Sequence, residues 1–404
     1  MTVSLSLASY PSFLRFWVGR VAGTLANQMI LLVVAWQMYD LTNSAWSLGL
    51  VGLFQFVPAL ALALVSGHMA DRYDRRHIVS LAMALQLVAA LALLMATHEH
   101  WLSREVILGV SLLLGVARSF QMTAQQALTP LLVPAPLLSR AMALSSSGNQ
   151  AAIIGGPALG GFLYAAGASL VYAVCVVLFV IGASLVWSAR YEHKPSPRAP
   201  VTMDTLLAGV RFIRAKPVVL GAISLDLFAV LLGGATALLP IYARDILHVG
   251  PEGLGLLRGA PAIGALLMSL VLARWTIKSR AGAILFSCVA VFGLTTIVFG
   301  LSHWFWLSMV ALFFNGAVDM VSVVVRQTLV QLDTPDEMRG RVSAVNAIFI
   351  GASNQLGEFE SGATAALFGP VGAVVLGGVG TLVVVGLWMR WFPELRRRKS
   401  LSEA

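Results

Sequence analysis

The stretch Ser66-Gly67-His68-Met69-Ala70-Asp71-Arg72-Tyr73-Asp74-Arg75-Arg76-His77-Ile78 is a short burst of charge between two long apolar runs. Residues 46–65 before it and 79–97 after it contain no Lys, Arg, Asp or Glu. Each run is close to the roughly 20 residues that cross a bilayer core as a helix. A loop this short makes the two helices antiparallel neighbours. Arg72, Arg75, Arg76 and titratable His77 outnumber Asp71 and Asp74, which puts the loop on the cytoplasmic face of a membrane.

The rest of the chain has the same character. Of its 404 residues, 58% are hydrophobic and only 11% charged, about half the charge of an average soluble domain. A water-soluble fold of this length has no interior large enough for that apolar surface, so lipid is the solvent for most of it. The net charge of +9 would suggest nucleic acid as a partner of a soluble protein. Here the basic residues are parcelled into short loops, the pattern of membrane orientation, and no nucleic-acid partner is expected. Cys175 and Cys288 lie inside separate apolar segments and are expected to be small packing residues, with no metal site. Residues 1–11 lack the basic start, apolar core and cleavage site of a signal peptide, so the first span is expected to serve as its own insertion signal.

Cutting the chain at charged or Pro/Gly-rich interruptions predicts twelve spans: 13–39, 46–70, 77–97, 104–128, 140–165, 168–189, 217–243, 252–274, 281–301, 304–331, 341–366 and 369–391. The fifth and eleventh are diluted by Gly, Ser, Asn and Glu. Lys and Arg cluster in alternate loops, at Arg72/Arg75/Arg76, Arg140, Arg190/Lys194/Arg198, Arg211/Arg214/Lys216, Arg274/Lys278/Arg280, Arg339/Arg341 and from Arg390 to Lys399. The intervening loops hold only Arg104 and Arg244, so both termini and the central linker are expected in the cytoplasm. That linker, Arg190 to Lys216, contains Pro195, Pro197 and Pro200, and then a segment from Met203 to Arg214 suited to a short amphipathic helix on the membrane surface. It divides the chain into an expected N-terminal six-helix bundle (1–190), a tether (191–216) and a C-terminal six-helix bundle with a basic tail (217–404). The expected fold class is all-α, with twelve transmembrane helices in two pseudo-symmetric bundles.

A weak internal repeat agrees with that division. A shift of 201 positions lays Gln126 on Gln327, Pro134 on Pro335, Arg140 on Arg341, Gly156 on Gly357 and Gly161 on Gly362. Coupled to the equal halves, it favours two parallel repeats related by an axis along the membrane normal.

Polar residues concentrate in particular spans. The third, sixth, ninth and twelfth are nearly free of them. The first, fourth, seventh and tenth carry Arg20/Asn27/Gln28, Arg118/Gln121/Gln125/Gln126, Asp226 and Asn315/Asp319/Arg326/Gln327. A charge at bilayer depth costs about 2.5–3.5 kcal/mol on insertion scales, so such residues face protein or trapped water. Every third helix is therefore expected to face lipid, while the first, fourth, seventh and tenth line a polar cavity. Helical rise puts Arg118 and Asp319 near the bilayer midplane, the depth of a carrier's substrate site. Asp319 and Arg326, seven residues apart, share a helix face and are expected either to neutralise each other or to serve substrate or protons. Glu358 and Glu360 point about 200° apart. Glu358 shares a face with Asn354 and is expected in the cavity, with Glu360 partnering another helix. For Asp226, a proton role and a structural hydrogen bond both stand. Trp101, Trp304, Trp306, Trp388 and Trp391 sit near span ends, as interfacial anchors do.

The loop Gly67 to Arg76 resembles the signature between the second and third helices of the major facilitator superfamily. Gly155-Gly156-Pro157-Ala158-Leu159-Gly160-Gly161 looks like the Gly-Pro-x-x-Gly-Gly motif of that superfamily's antiporters, in which small residues allow close helix approach and a proline permits a bend. Arg118 is similar to the arginine those antiporters carry in the fourth helix. Over nearly its whole length the chain looks most like the drug:proton antiporter group that includes siderophore and macrolide exporters, where an acidic residue such as Asp74 replaces a glycine of the general motif. The resemblance implies a cytoplasmic gate at Gly67, Asp71, Arg72, Asp74, Arg75 and Arg76, and an antiporter element at Gly156, Pro157, Gly160 and Gly161. A solvated basic loop that only fixes topology is the alternative for the first.

These readings together predict a bacterial inner-membrane exporter, monomeric in the bilayer, that moves a small amphiphilic molecule of siderophore or drug type by alternating access. The proton gradient replaces any bound cofactor. Its predicted substrate and proton pathway is Arg20, Asn27, Gln28, Arg118, Gln121, Asp226, Asn315, Asp319, Arg326, Asn354, Glu358 and Glu360. A lipid or lysolipid flippase of the same fold and a non-transporting membrane sensor are the alternatives. An enzyme is not expected, since the sequence has no His-Glu-x-x-His, nucleophile elbow or phosphate-binding Gly-Lys loop.

Overall fold

The computed structural model describes residues 7–190, 203–275 and 280–398. Helix covers every one of the twelve expected stretches. The first half runs α1 (Pro11–Thr42), α2 (Ala45–Ala61), α3 (Ala63–Arg72), α4 (Arg75–His98), α5 (Arg104–Leu128), α6 (Leu138–Tyr164) and α7 (Ala168–Ser188). The second runs α8 (Met203–Ala215), α9 (Pro217–Gly233), α10 (Leu239–Ile241), α11 (Pro251–Arg274), α12 (Ala281–Leu301), α13 (Phe305–Leu332), α14 (Asp336–Trp391) and α15 (Pro393–Arg397). Residues 191–202 of the expected tether and 399–404 of the basic tail lie outside the described residues.

Among the described residues, nine helices are long and apolar enough to cross a membrane. The count differs from twelve for three physical reasons. The second stretch is split, because the helix turns at Leu62 between α2 and α3. Ser145, Ser146, Ser147, Asn149 and Gln150 dilute α6. The eleventh and twelfth stretches run together in α14, which is broken at Gly369, where φ is 76° and ψ 163°. Pro370 follows. A side chain at Gly369 would be strained in this conformation, so the pair divides α14 into two helices.

The chain clusters into two units. The first contains the described residues of Met1–Thr42 and Phe54–Val201, and the second those of Asn43–Leu53 and Thr202–Ala404. In the first unit α1 packs on α6 and α7, and α4 on α5 and α7. In the second, α9 packs on α14, α11 on α13, and α12 on both α13 and α14. Outward faces of several helices are apolar, as at Leu81, Val88 and Met95 of α4 and Leu294, Val298 and Leu301 of α12. Stripes of this length on a water-soluble surface would be an association hazard; against acyl chains they are the stable arrangement.

Close helix contacts recur at corresponding places in the two halves. A Cβ on Gly156 of α6 would come within 2.5 Å of Gln28 Cβ on α1. One on Gly357 of α14 would come within 3.0 Å of the Val230 carbonyl on α9. The 201-residue shift relates these glycines, and each seats the fifth helix of its half on the first. The same shift relates Gly115 of α5 to Gly316 of α13, which lie against the backbone carbonyls of Gln55 and Pro261.

The charged loop is a helix cap. Asp74 precedes α4, and its carboxylate accepts from the Arg76 N–H at 2.9 Å and from Arg76 Nη2 at 3.1 Å. Arg76 Nη1 donates to the Ala189 carbonyl at 3.2 Å, tying the start of α4 to the end of α7. Arg75 Nε reaches back to the Ala70 carbonyl at 3.0 Å. This explains an acid where the general motif has glycine: the position needs an acceptor for an unpaired helix N–H. Asp74→Ala is expected to cost about 1 kcal/mol and lower the melting temperature by about 2–4 °C in detergent, with Asp74→Asn, which keeps a capping oxygen, losing less. The Asp71 side chain lies outside the described residues.

Candidate functional site

The second unit contains a cavity of about 290 Å³. One wall is the break after α9. Gly233 and Gly234 have low helix propensity, Gly234 leaves the helical region with ψ at 57°, and a 3-10 turn Ala235–Leu238 follows before α10. The seventh expected span is thus interrupted. Ser361 Oγ of α14 donates to the freed Gly234 carbonyl at 2.9 Å. Non-helical backbone at membrane depth is stable where it lines a cavity and its polar groups find such partners.

The opposite wall comes from α13, on which Asn315, Gly316 and Asp319 face the cavity about halfway along its 28 residues. Asn315 Nδ2 donates to the Phe292 carbonyl at 3.2 Å and to Thr295 and Thr296 hydroxyls at 3.2 and 3.1 Å, which fixes its amide. Asn354 of α14 and Thr236 add polar groups, while Phe292, Phe299 and Leu312 supply apolar surface. Asp319 is the charged residue of this lining, and it has no ion-pair partner among the described residues. The arrangement offers one carboxylate, amides and hydroxyls in a mostly apolar chamber, the make-up of a small-molecule site.

The structure departs from the sequence reading at several positions. Arg326 pairs with Asp226 of α9, not with Asp319 on its own helix. Both partners are deeply buried, with side chains 3% and 9% exposed. Asp226 is therefore no lone carboxylate. The ninth stretch, α12, turns Leu294 and Val298 outward, as a lipid-facing helix does, and on its other face brings Phe292, Thr296 and Phe299 to the cavity, as a 3.6-residue period allows. Glu360, expected to reach another helix, accepts from Thr364 on its own at 2.7 Å.

Glu358 lies against Gly52, in the segment that clusters with the second unit, where a Cβ would come within 3.0 Å of its Oε2. Its charge acts on Arg258 of α11. Arg258 was missed by the sequence reading. An arginine inside the eighth span was itself the signal, since a cation there requires a partner.

In the first unit Arg20 and Asn27 on α1 and Arg118 on α5 are half-buried. Neither arginine has an ion-pair partner among the described residues, and Arg20 Nε is buried without a hydrogen bond. Gln121 is buried, with its amide near Gly23 of α1. Gln28 covers Gly156, and Gly160 lies against Met29, so the glycines of the α6 motif form the seat of α1. Pro157 and Gly161 are buried in the same helix. Arg72 is exposed and Gly67 half-exposed at the end of α3.

Comparison with known proteins agrees with the fold. The chain is 26% identical over 393 residues to the enterobactin exporter EntS of Shigella boydii serotype 18, covering 97% of this chain and 94% of the relative. Identity and coverage are the same for EntS of Escherichia coli (strain SMS-3-5). Among solved structures, a bacterial homologue of the human lysosomal transporter Spinster superposes with a TM-score of 0.73 at 13% identity, over 98% of both chains. A bacterial homologue of the iron transporter ferroportin gives 0.70 at 17% identity, over 98% of this chain and 100% of the other. These superpositions show a shared fold. The sequence model of the transmembrane secretion effector family, MFS_3, matches residues 3–403, and the chain belongs to that family of multi-pass membrane transporters.

Proposed function

We propose that the chain exports a small amphiphilic molecule of the siderophore class across the bacterial inner membrane in exchange for protons. The observation that carries this reading is Asp319, a carboxylate without an ion-pair partner among the described residues, in an otherwise uncharged cavity halfway along α13. A carboxylate so placed costs least when its charge is answered, either by a proton or by hydrogen-bond donors of a ligand. Substrate and proton then compete for one site, which is what exchange requires. In alternating access the chamber meets the two aqueous phases in turn. The proton bound from outside is released inside as substrate enters.

The siderophore assignment draws on the likeness to enterobactin exporters over 97% of the chain. Inside-out vesicles carrying the protein and energised by respiration are expected to accumulate enterobactin, and a protonophore should abolish the accumulation. No accumulation above empty vesicles would sink the substrate class, and accumulation indifferent to the protonophore would sink the coupling.

A further inference from the structure

Next to the main cavity lies a second void of about 10 Å³, lined by Asp226, Asp319, Ser322, Cys288, Val289 and Phe292 among others, with room for about one water. It touches both carboxylates of the region. Asp226 comes from α9; Asp319, Ser322 and Arg326 lie on one face of α13 at spacings of three, four and seven. Side chains on a helix lean toward its N-terminus, so the direction open to a long side chain at 326 runs along the Ser322 side of α13 toward Asp319. In the structure its guanidinium is taken by Asp226. Its Nε is nevertheless buried without a hydrogen bond. One buried cation is thus held by a carboxylate, Asp226, that shares a small void with a second carboxylate, Asp319, on the cation's own helix face. Among the described residues, the charged and titratable groups lining the two cavities are Asp226 from α9, Cys288 from α12 and Asp319 from α13, with none from α11 or α14.

We infer that Asp226 and Asp319 share Arg326. Asp226 holds the guanidinium while Asp319 is neutralised, and Asp319 draws it across the small void when it becomes charged and has no other partner. Asp226 is then a positioning residue. It keeps Arg326 from permanently neutralising Asp319 and so leaves the cavity carboxylate free for its ligand. The inference builds on the proton-exchange reading for its purpose, but the sharing of charge stands or falls by itself.

Thermal unfolding of the purified full-length protein tests the sharing. Asp226→Asn leaves Arg326 with Asp319, and Asp319→Asn leaves it with Asp226, so each single variant is expected to lower the melting temperature by only about 3 °C. The double variant strands a buried arginine and is expected to lose about 10 °C or more, far beyond the sum of the singles. Adding Arg326→Gln to the double variant should return most of that loss. Additive effects, or an Asp226→Asn protein that loses the full amount or does not fold, would show that Asp319 cannot take over, and would overturn the inference. None of these outcomes depends on transport. In vesicles where the wild type accumulates substrate, Asp226→Asn should lose proton-driven accumulation and Asp226→Asn/Arg326→Gln should regain it. A folded Asp226→Asn protein with wild-type accumulation would contradict the positioning role and leave the export reading intact.

Discussion

Asp319→Asn is expected to reduce substrate accumulation in energised inside-out vesicles to the level of wild-type vesicles treated with a protonophore. Coupling free energies between linked sites run about 1–3 kcal/mol, so the loss should lie between about 5- and 150-fold. The amide preserves the shape of the side chain and can still bond within the chamber, so the cavity should persist. It cannot exchange a proton. Downhill counterflow of substrate, which needs no gradient, should survive at a substantial fraction of the wild-type rate. This separation of driven from downhill movement distinguishes a coupling carboxylate from a residue that merely shapes the pocket, whose loss would lower both together. Asp226 keeps Arg326 occupied in the structure, so the effect of the Asp319 change should not pass through a stranded arginine.

The largest structural effect is expected at Gly316. This residue of α13 faces α11 so closely that a Cβ would fall within 1.9 Å of the Pro261 carbonyl oxygen. No rotamer adjustment relieves that contact, because the obstacle is backbone. On the same interface Gly264 of α11 lies against the Phe313 carbonyl, where a Cβ would fall within 2.0 Å. The two glycines interlock the helices from both sides, as small residues do where bilayer-spanning helices pack by close approach. Gly316→Val forces α11 and α13 apart beside the cavity and is expected to cost about 3 kcal/mol or more. The readout is a fall of roughly 10 °C in melting temperature, or loss of monodisperse protein on size exclusion. Valine at Gly67, whose Cβ would meet nothing within 4 Å, should leave both nearly unchanged. At Gly115, the counterpart of Gly316 after the 201-residue shift, a Cβ would fall within 2.3 Å of the Gln55 carbonyl oxygen, so valine there should be destabilising too.

Much of this architecture was legible because lipid imposes simple rules. A run of about 20 residues with little or no charge must be helical if it is to satisfy its backbone in a bilayer, so the helical stretches could be read directly, although among the described residues nine helices are long and apolar enough to cross a membrane. Gly369-Pro370 marked the last division. The candidate site was legible in its parts but not in its pairing. Asp226, Asp319 and Arg326 stood out as charges inside apolar helices, yet helical periodicity relates only residues of one helix. It favoured Asp319 with Arg326 and carried no information that α9 would bring Asp226 to the same guanidinium. Arg258 and Glu358 were divided between two helices for the same reason. Gly316 was hidden because a single glycine in an apolar span has many uses, and its role appears only when the Pro261 carbonyl is in place.

The most direct measurement is substrate-elicited proton movement in proteoliposomes that hold a trapped pH indicator and contain only the purified chain. With no electrical or pH gradient imposed, an outward-directed enterobactin gradient is expected to drive protons into the lumen as substrate leaves, and Asp319→Asn should carry substrate without that signal. Substrate efflux by the wild type with no change in luminal pH, or a proton signal undiminished in Asp319→Asn, would contradict exchange at this carboxylate.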